Sequence, residues 1–434
     1  MKGFVVLIII HSLFGCSLAL AQPNTTIDLE KEKPKQYQTR LLRSEKTGDG
    51  KLKYPGKIFQ NAFSHYNYYF NANNKVNEII AKVKQTHRDD FTKLLPFYNY
   101  QYRQTASYTN DIDSIILKCT AGIFLHDLRS DWVDNLYLLI GKAYLLKESY
   151  DSAAYVFQYI NYAWAPNDDG YILTIGSNNG QKNSIFSIVT PEKRSFLQKL
   201  THRTISRNES LLWMARTYIE QQKNNEASSL LAMLTADPAF PQRLQPQLHE
   251  LWAYHYYQQK LNDSAAFHIE KALSVTSNKT EKARWLFLAG QLLQQIKQDS
   301  AATRYYERSI QATPDPLLEV YARLNMVQMG SNKQKKGSDD HLQQLYQLSK
   351  KDKYENYRDI ILLVAAQLEM ENKNLTAATN TALKSIKYNT DNPETKNKAW
   401  LLLADLYYTQ NKYVQSAACY DSLDINAIAS DQLE

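Results

Sequence analysis

The chain has 434 residues, and its 51 Lys and Arg against 44 Asp and Glu give a formal net charge of +7. A surplus this small over a chain this long excludes the dense basic surface typical of nucleic-acid-binding proteins. Gly and Pro number only 13 and 12, well below average usage, so long helices with few tight turns are favoured.

The N-terminus has the pattern of an export signal. Lys2 precedes an apolar run that is too short to cross a bilayer. Two processing sites fit: cleavage after Ala21 would leave Gln22 first, and cleavage before Cys16 would place a lipid on its thiol. The signal would span residues 1–21 or 1–15. We expect an exported, periplasmic protein, which is anchored to the outer membrane only if Cys16 is lipidated.

Residues 22–57 are polar, basic and contain Pro and Gly, which predicts a flexible tether. No later stretch approaches the roughly 18 to 20 apolar residues that cross a membrane, so membrane contact is expected only through the lipid. Cys119 and Cys419 are too few for a disulfide framework. We expect both to be small buried side chains.

Helical repeats organise the rest of the chain. Trp285 is followed by the small Ala289, then by Leu292, Ala301 and Tyr305, which matches the 34-residue tetratricopeptide repeat (TPR) pattern. The same frame recurs with insertions, and its small first-helix positions are Gly141, Ala215, Ala253, Ala289, Ala322, Ala365 and Ala404. The predicted fold is all-α, a right-handed TPR superhelix of about six to eight helix pairs.

The tetrapeptide Asp-Ser-Ala-Ala begins at Asp151, Asp263 and Asp299. A carboxylate in the first turn of a helix stabilises the helix dipole, and the Ala pair favours helix and close packing. We interpret these positions as starts of second helices with a structural role.

The first helices are predicted to line a concave groove for protein partners. The position after each small residue, and the aromatic residues about one turn later, should face it. These groove candidates are Lys142, Arg216, Tyr254, Tyr257, Arg323, Asp405 and Tyr408. A plain solvated helix face would show the same mixture of aromatic and charged residues.

A long insertion at 166–207 separates N-terminal repeats at 58–165 from C-terminal TPRs at 208–434. Its β-branched and aromatic residues flank an Asn-Gly, which predicts a β-hairpin or an ordered irregular loop. Long irregular segments in regular arrays are often functional. The predicted partner-binding residues here are Tyr171, Ile175, Asn179 and Phe186. Deleting 170–190 should abolish partner recovery and leave helicity intact.

No catalytic or metal centre is predicted. The loop 176–182 is one residue short of a phosphate-binding loop and lacks the hydroxyl residue after Lys182. His249 and Glu250 are too far from His255 for the helical zinc motif of metalloproteases, so these histidines are read as packing or surface residues. We expect no enzyme activity, no cofactor and no small-molecule substrate.

Three segments carry a family resemblance beyond a generic repeat. They are residues 59–73 with a Tyr-Asn-Tyr-Tyr-Phe-Asn core, residues 186–194, and residues 206–254 with Asp237-Pro-Ala-Phe-Pro-Gln-Arg-Leu. Over 58–266 the chain resembles the SprE/PorW proteins of Bacteroidota, TPR lipoproteins of type IX secretion and gliding motility. The resemblance implies an envelope adaptor whose partners are other proteins of a secretion complex.

Two other lipoprotein classes built on such repeats remain alternatives. A SusD-like glycan-binding lipoprotein would carry long aromatic-bearing excursions, and an outer-membrane assembly adaptor resembling BamD would be shorter. For the tyrosines of 59–73, packing of the opening helix on the next helix is the favoured reading.

Overall fold

The computed structural model of the protein describes residues 54–165, 188–192, 206–331 and 338–424. Several predicted positions lie outside the described residues: Cys16, Ala21, Gln22, Tyr171, Ile175, Asn179 and Phe186. The export signal, the tether and the insertion site therefore stay predictions.

Two compact units make up the protein and are described separately. Unit 1 comprises Met1–His87 and Tyr100–Leu244, and unit 2 comprises Arg88–Asn99 and Gln245–Glu434. Unit 2 therefore includes a short segment, Arg88–Asn99, that lies in the sequence between two helices of unit 1. None of the described helices is long and apolar enough to cross a membrane.

The described part of unit 1 begins with four α-helices, a π-helical turn and a 3-10 turn before its first TPR-like pair. They are α1 Tyr54–Phe63, a π-helical turn Ser64–Tyr69, α2 Phe70–Thr86, a short α3 Tyr102–Thr105 with the 3-10 turn Ala106–Tyr108, and α4 Thr109–Leu125. The π-helical turn carries the aromatic core of the family-like opening helix.

That aromatic core is partly packed and partly exposed. Trp132 stacks on His65 with ring centroids 4.1 Å apart, and it lies 4.9 Å from Tyr69. Tyr66 and Phe70 are exposed. Packing therefore accounts for one side of the opening helix and not for all of its rings.

Helix pairs form the remainder of the described chain. They are α5 Val133–Leu146 with α6 Tyr150–Ala163, α7 Ser206–Glu220 with α8 Asn224–Ala236, α9 Gln245–Gln258 with α10 Asn262–Ala272, α11 Lys279–Gln295 with α12 Asp299–Ala312, α13 Pro316–Ser331 with α14 Ser338–Ser349, α15 Arg358–Glu371 with α16 Leu375–Tyr388, and α17 Pro393–Thr409 with α18 Tyr413–Asp421. The described residues contain no strand. The prediction of an all-α TPR fold is confirmed.

Every small residue of the predicted frame lies in the first helix of a pair and is buried: Gly141, Ala215, Ala253, Ala289, Ala322, Ala365 and Ala404. A small side chain there lets the second helix approach closely, because helix spacing is set by the side chains at the contact. The Asp residues of the Asp-Ser-Ala-Ala motif lie in the first turns of α6, α10 and α12.

The turn within a pair repeats one backbone geometry. Its turn residue has φ between 59° and 63° although it is not Gly, at Glu148, Gln222, Lys260, Lys297, Lys373 and Asn411. The next N–H donates to a carbonyl five residues earlier, as in Lys223 N to Tyr218 O at 2.9 Å. This bond ends the first helix in a Schellman motif. Burial of the free thiols of Cys119 and Cys419 is also as predicted.

Gly141 gives the closest approach within a pair. A Cβ built there would lie 2.3 Å from Cε1 of the buried Phe157 on α6. We expect Gly141→Ala to destabilise unit 1 by about 1–3 kcal/mol through overpacking, despite the gain of about 1 kcal/mol in helix propensity. Urea unfolding followed by circular dichroism measures this. Phe157→Leu in the same chain should recover part of the loss, and an additive double variant would contradict the clash.

Candidate functional site

An irregular segment occupies the face that the first helices of unit 2 present. We call residues Arg88–Asn99 the internal segment. Its Phe91, Leu95 and Phe97 are buried, while Thr92, Lys93 and Leu94 between them are exposed. Buried backbone without helix or sheet bonding needs other partners for its polar groups. Side chains of α9 and α11 supply them.

Arg284 on α11 holds both ends of the internal segment. Its Nε and Nη2 donate to the two carboxylate oxygens of Asp89 at 2.8 and 3.0 Å. Its Nη1 donates to the carbonyl oxygen of Phe97 at 2.9 Å, and Nη2 also donates to that of Pro96 at 2.6 Å. Arg284 is only 5% exposed, so one buried guanidinium fixes the bend of the segment.

The side chain of Gln291, two turns later on α11, forms hydrogen bonds with the middle of the segment. Its Oε1 accepts from Leu95 N at 3.0 Å, and its Nε2 donates to Lys93 O at 2.7 Å. The hydroxyl of Tyr257 on α9 donates to Leu95 O at 3.0 Å. These contacts are made to main-chain atoms, so they do not depend on which side chains stand at Lys93 and Leu95.

Three aromatic rings surround the side chain of Phe97. Phe97 has ring-centroid distances of 5.2 Å to Tyr254, 5.7 Å to Tyr257 and 5.6 Å to Trp285. Its neighbour Tyr98 lies 4.9 Å from Tyr254. Ring pairs at such separations add about 0.5–1.5 kcal/mol each beyond the area that they bury.

A second pocket takes Phe91. Its ring lies 5.3 Å from Phe287 on α11 and 5.7 Å from Tyr321 on α13. At the other end of the segment, the Tyr98 hydroxyl donates to Glu250 on α9 at 2.9 Å. The internal segment therefore spans three consecutive first helices.

The predicted groove residues of unit 2 fall into two groups. Tyr254 and Tyr257 contact the internal segment. Arg323 donates to Glu319 at 2.7 Å and lines a cavity of about 390 Å³ with His341. Asp405 and Tyr408 on α17 are exposed, and Tyr408 packs against Tyr413. For all of them, contact with another protein stays a prediction.

The predicted groove residues of unit 1 are enclosed by aromatic rings. Arg216 donates to the Tyr100 hydroxyl at 2.7 Å and lies 5.1 Å from the ring of Tyr102. Lys142 Nζ lies 4.8 Å above the ring of Trp213, and burial lowers the pKa of Lys142. Both cations face their own unit.

Two of the family-like segments contact each other in unit 1. Asp237, before Pro238, accepts from the backbone N–H groups of Ile188 at 2.9 Å and Val189 at 3.3 Å. Asn208 on α7 donates to Thr190 O at 2.8 Å and accepts from Thr190 N at 2.9 Å. The described part of the insertion, 188–192, is therefore bonded to α7 and to the linker after α8.

Arg243 completes this anchor, which comprises residues 188–192, Asn208, Asp237 and Arg243. Its Nε and Nη2 donate to the two carboxylate oxygens of Glu192 at 2.8 and 2.7 Å, and its Nη1 donates to Glu209 at 2.8 Å. The motif Asp-Pro-Ala-Phe-Pro-Gln-Arg-Leu thus has an architectural use at both of its charged positions.

Two histidines form a hydrogen-bonded pair within one helix pair of unit 2. Nδ1 of His249 on α9 lies 3.0 Å from Nδ1 of His268 on α10. Burial, with smaller contributions from the charges of His249 and Lys271, lowers the pKa of His268 to about 4. His255 is buried, as a packing residue would be. Among the described residues, no group of three His, Cys, Asp or Glu is placed to hold a metal.

This pair predicts acid sensitivity. In the unfolded chain the His268 side chain is protonated below about pH 6.5, whereas in the folded chain it stays neutral until about pH 4. The unfolded state therefore binds more protons in this window, so stability is full above pH 6.5 and falls as the pH drops towards 4. The urea midpoint of unit 2, measured across this range, should follow that slope. His268→Gln should flatten it, and an unchanged slope in the variant would contradict the assignment.

The turn geometry and the buried small residues identify the fold from the chain itself. It is a tetratricopeptide repeat fold. No protein-family model matches the sequence, and no curated protein matches it.

Similar solved structures include a tetratricopeptide repeat protein from Parabacteroides merdae, 12% identical, covering 66% of this chain and 91% of that one with a TM-score of 0.36. BtubC from P. vanneervenii is 14% identical over 52% and 82% of the two chains, with a TM-score of 0.25. The TPR domain of P58(IPK) is 13% identical over 74% and 82%, with a TM-score of 0.24. Scores this low carry no argument about function.

Sequence reasoning missed the internal segment, which it placed within the N-terminal repeats at 58–165. A signal was present. Leu95, Pro96 and Phe97 are consecutive apolar residues between two helices, and Pro96 disfavours a helix there. The same argument that singled out the long insertion, apolar residues in an irregular segment, applies to them.

Proposed function

We propose that the protein is a non-enzymatic protein–protein interaction scaffold of the bacterial envelope, and an accessory or adaptor component of type IX secretion and gliding. The observation that most supports a scaffold is the set of hydrogen bonds and ring contacts by which unit 2 binds the internal segment. Arg284, Gln291 and Tyr257 bond to its main chain while aromatic pockets take its side chains. A repeat face with these contacts is equipped to hold irregular polypeptide.

Sequence features support the place in the envelope. These are the export signal with Cys16 or Ala21 as its processing site, and the three segments that resemble SprE/PorW proteins. The contact of Asp237 and Arg243 with residues 188–192 supports treating two of those segments as one architectural feature.

Affinity purification of the tagged chain from membranes of the native host tests the proposal. We expect other envelope proteins of a secretion complex to be recovered. Mass spectrometry of the N-terminal peptide distinguishes lipidated Cys16 from a chain beginning at Gln22. Recovery of the barrel-assembly machinery alone would favour the BamD-like alternative, and specific binding on a glycan array would favour the SusD-like one. Either result would contradict the proposed role.

A deletion tests the share of the insertion in partner binding. The backbone of Ile188, Val189 and Thr190 is bonded to Asp237 and Asn208, so a deletion that ends at 190 would also cut the anchor. Removing 170–187 spares these bonds. We expect unchanged helicity and melting with loss of partner recovery, and full recovery would contradict a role for the insertion. Tyr408→Ala, an exposed change at a predicted groove position in unit 2, tests the groove separately from the insertion. Unchanged partner recovery in that variant would count against a role for Tyr408.

A further inference from the structure

The internal segment is bound in the manner of a ligand. It has no helix or strand of its own between α2 and α3. Side chains of the repeats bond to Lys93 O, to the N–H and O of Leu95, to Pro96 O and to Phe97 O, and Lys93 N donates to Asp90 O in a turn of the segment itself. Bound peptides are commonly recognised by main-chain bonds for affinity and by side-chain pockets for specificity.

The pockets define a chemical pattern. An acidic residue pairs with Arg284, and an aromatic ring two positions later packs on Phe287 and Tyr321. A Leu-Pro-aromatic run follows six to eight positions after the acid, where the Leu side chain is buried and the aromatic ring packs on Tyr254 and Trp285. The side chains of Thr92, Lys93 and Leu94 are exposed, so the pattern does not restrict the residue type at these three positions.

We propose that the face formed by α9, α11 and α13 is a peptide-binding site for bent, irregular segments of this pattern, and that residues Arg88–Asn99 are its built-in ligand. The proposal rests on the proposed scaffold function and names its ligand class: a polypeptide segment with an acidic residue, an aromatic residue and a Leu-Pro-aromatic run at the spacing of Asp89, Phe91 and Leu95 to Phe97. An external segment of this chemistry competes with the internal one for the site.

In the intact chain, covalent attachment favours binding of the internal segment over binding of an external peptide. A tethered ligand acts at an effective concentration in the millimolar range, so an external peptide of equal intrinsic affinity is excluded at ordinary concentrations. Loosening the internal segment removes that competitor and leaves Arg284, Gln291 and the aromatic pockets in place.

The test uses the full chain and a fluorescent peptide with the sequence of residues 88–99. In the vacated chain, Phe91→Ser, Leu95→Ser and Phe97→Ser remove the buried anchors of the internal segment. Fluorescence anisotropy should show that the peptide binds the vacated chain and does not bind the unaltered chain. Phe97→Ala in the peptide, or Gln291→Leu in the vacated chain, should weaken binding by about tenfold or more. Failure of the peptide to bind a helical vacated chain would overturn the proposal, as would equal binding of the Phe97→Ala peptide.

A milder variant keeps the test decisive if the vacated chain does not fold. Phe97→Ala alone removes one anchor, and excess peptide should raise the Tm of this variant because it binds the folded state only. The unaltered chain should show no rise. An absent rise in the variant would overturn the proposal. If the affinity purification recovers envelope partners but the peptide does not bind, the peptide-binding site is contradicted and the cellular role stands. If the peptide binds but no envelope partner is recovered, the cellular role is contradicted and the peptide-binding site stands.

Discussion

Replacing Arg284 with Gln is expected to lower the free energy of unfolding of unit 2 by about 3–5 kcal/mol, the cost of breaking a buried ion pair from one side. Arg284 is 5% exposed, and its guanidinium bonds to Asp89, to Pro96 O and to Phe97 O. The shorter amide of Gln cannot reach all of these groups. Urea unfolding followed by circular dichroism measures the loss.

An exposed arginine pair in the same unit serves as a control that separates the effect of burying the ion pair from the effect of losing a positive charge. Arg308 on α12 makes a two-bond pair with Glu270 at 2.6 and 2.9 Å, but the two side chains are 43% and 38% exposed. Arg308→Gln should cost about 0–1 kcal/mol, because exposed pairs contribute little. Adding Asp89→Asn to Arg284→Gln should recover part of the loss, since no carboxylate is then left behind. Equal costs for the two arginines would contradict the role given to Arg284.

Arg243→Gln should destabilise unit 1 by about 2–4 kcal/mol, somewhat less than a fully buried pair because the Arg243 side chain is 28% exposed. The variant leaves the carboxylate of Glu192, only 8% exposed, without its two guanidinium bonds. Residues 188–192 would then lose part of their anchor. Hydrogen exchange of the Val189 amide should accelerate, and urea unfolding should shift to lower concentrations.

Lys147 provides the control for this second prediction. Its Nζ lies 2.7 Å from Asp113 in unit 1, with both side chains at least one third exposed. Lys147→Gln should change stability by about 0–1 kcal/mol. If Arg243→Gln behaved like Lys147→Gln, the anchor of residues 188–192 would not depend on Arg243.

Local pattern was sufficient for the repeats because the interactions that form a helix pair lie close together in sequence. Ala289 is buried against the second helix of its own pair, and Asp299 begins that helix within a few residues of the turn at Lys297. Propensity, helix dipole and spacing all act over this range. The same reasoning placed Tyr254 and Tyr257 on the first-helix face.

Local pattern was insufficient for the polar contacts of the groove. Lys142 and Arg216 are predicted to face a partner, and that contact stays a prediction, but the structure also places aromatic rings of their own unit beside both cations. Nothing near Arg216 in the sequence indicates that Tyr100 supplies a hydroxyl, because that residue lies 116 positions earlier. Ring and hydroxyl partners of this kind are set by packing between elements.

The sequence by itself determined the helix pairs, their buried small residues and the face that the first helices present, because a period of about 34 residues encodes units that bury their surfaces only by stacking. Tertiary structure alone decided what occupies that face in unit 2. Asp89 and Arg284 are 195 positions apart, and no periodicity pairs them. Their contact forms because a buried irregular segment must have its main-chain groups bonded, and Arg284, Gln291 and Tyr257 are the side chains that reach them.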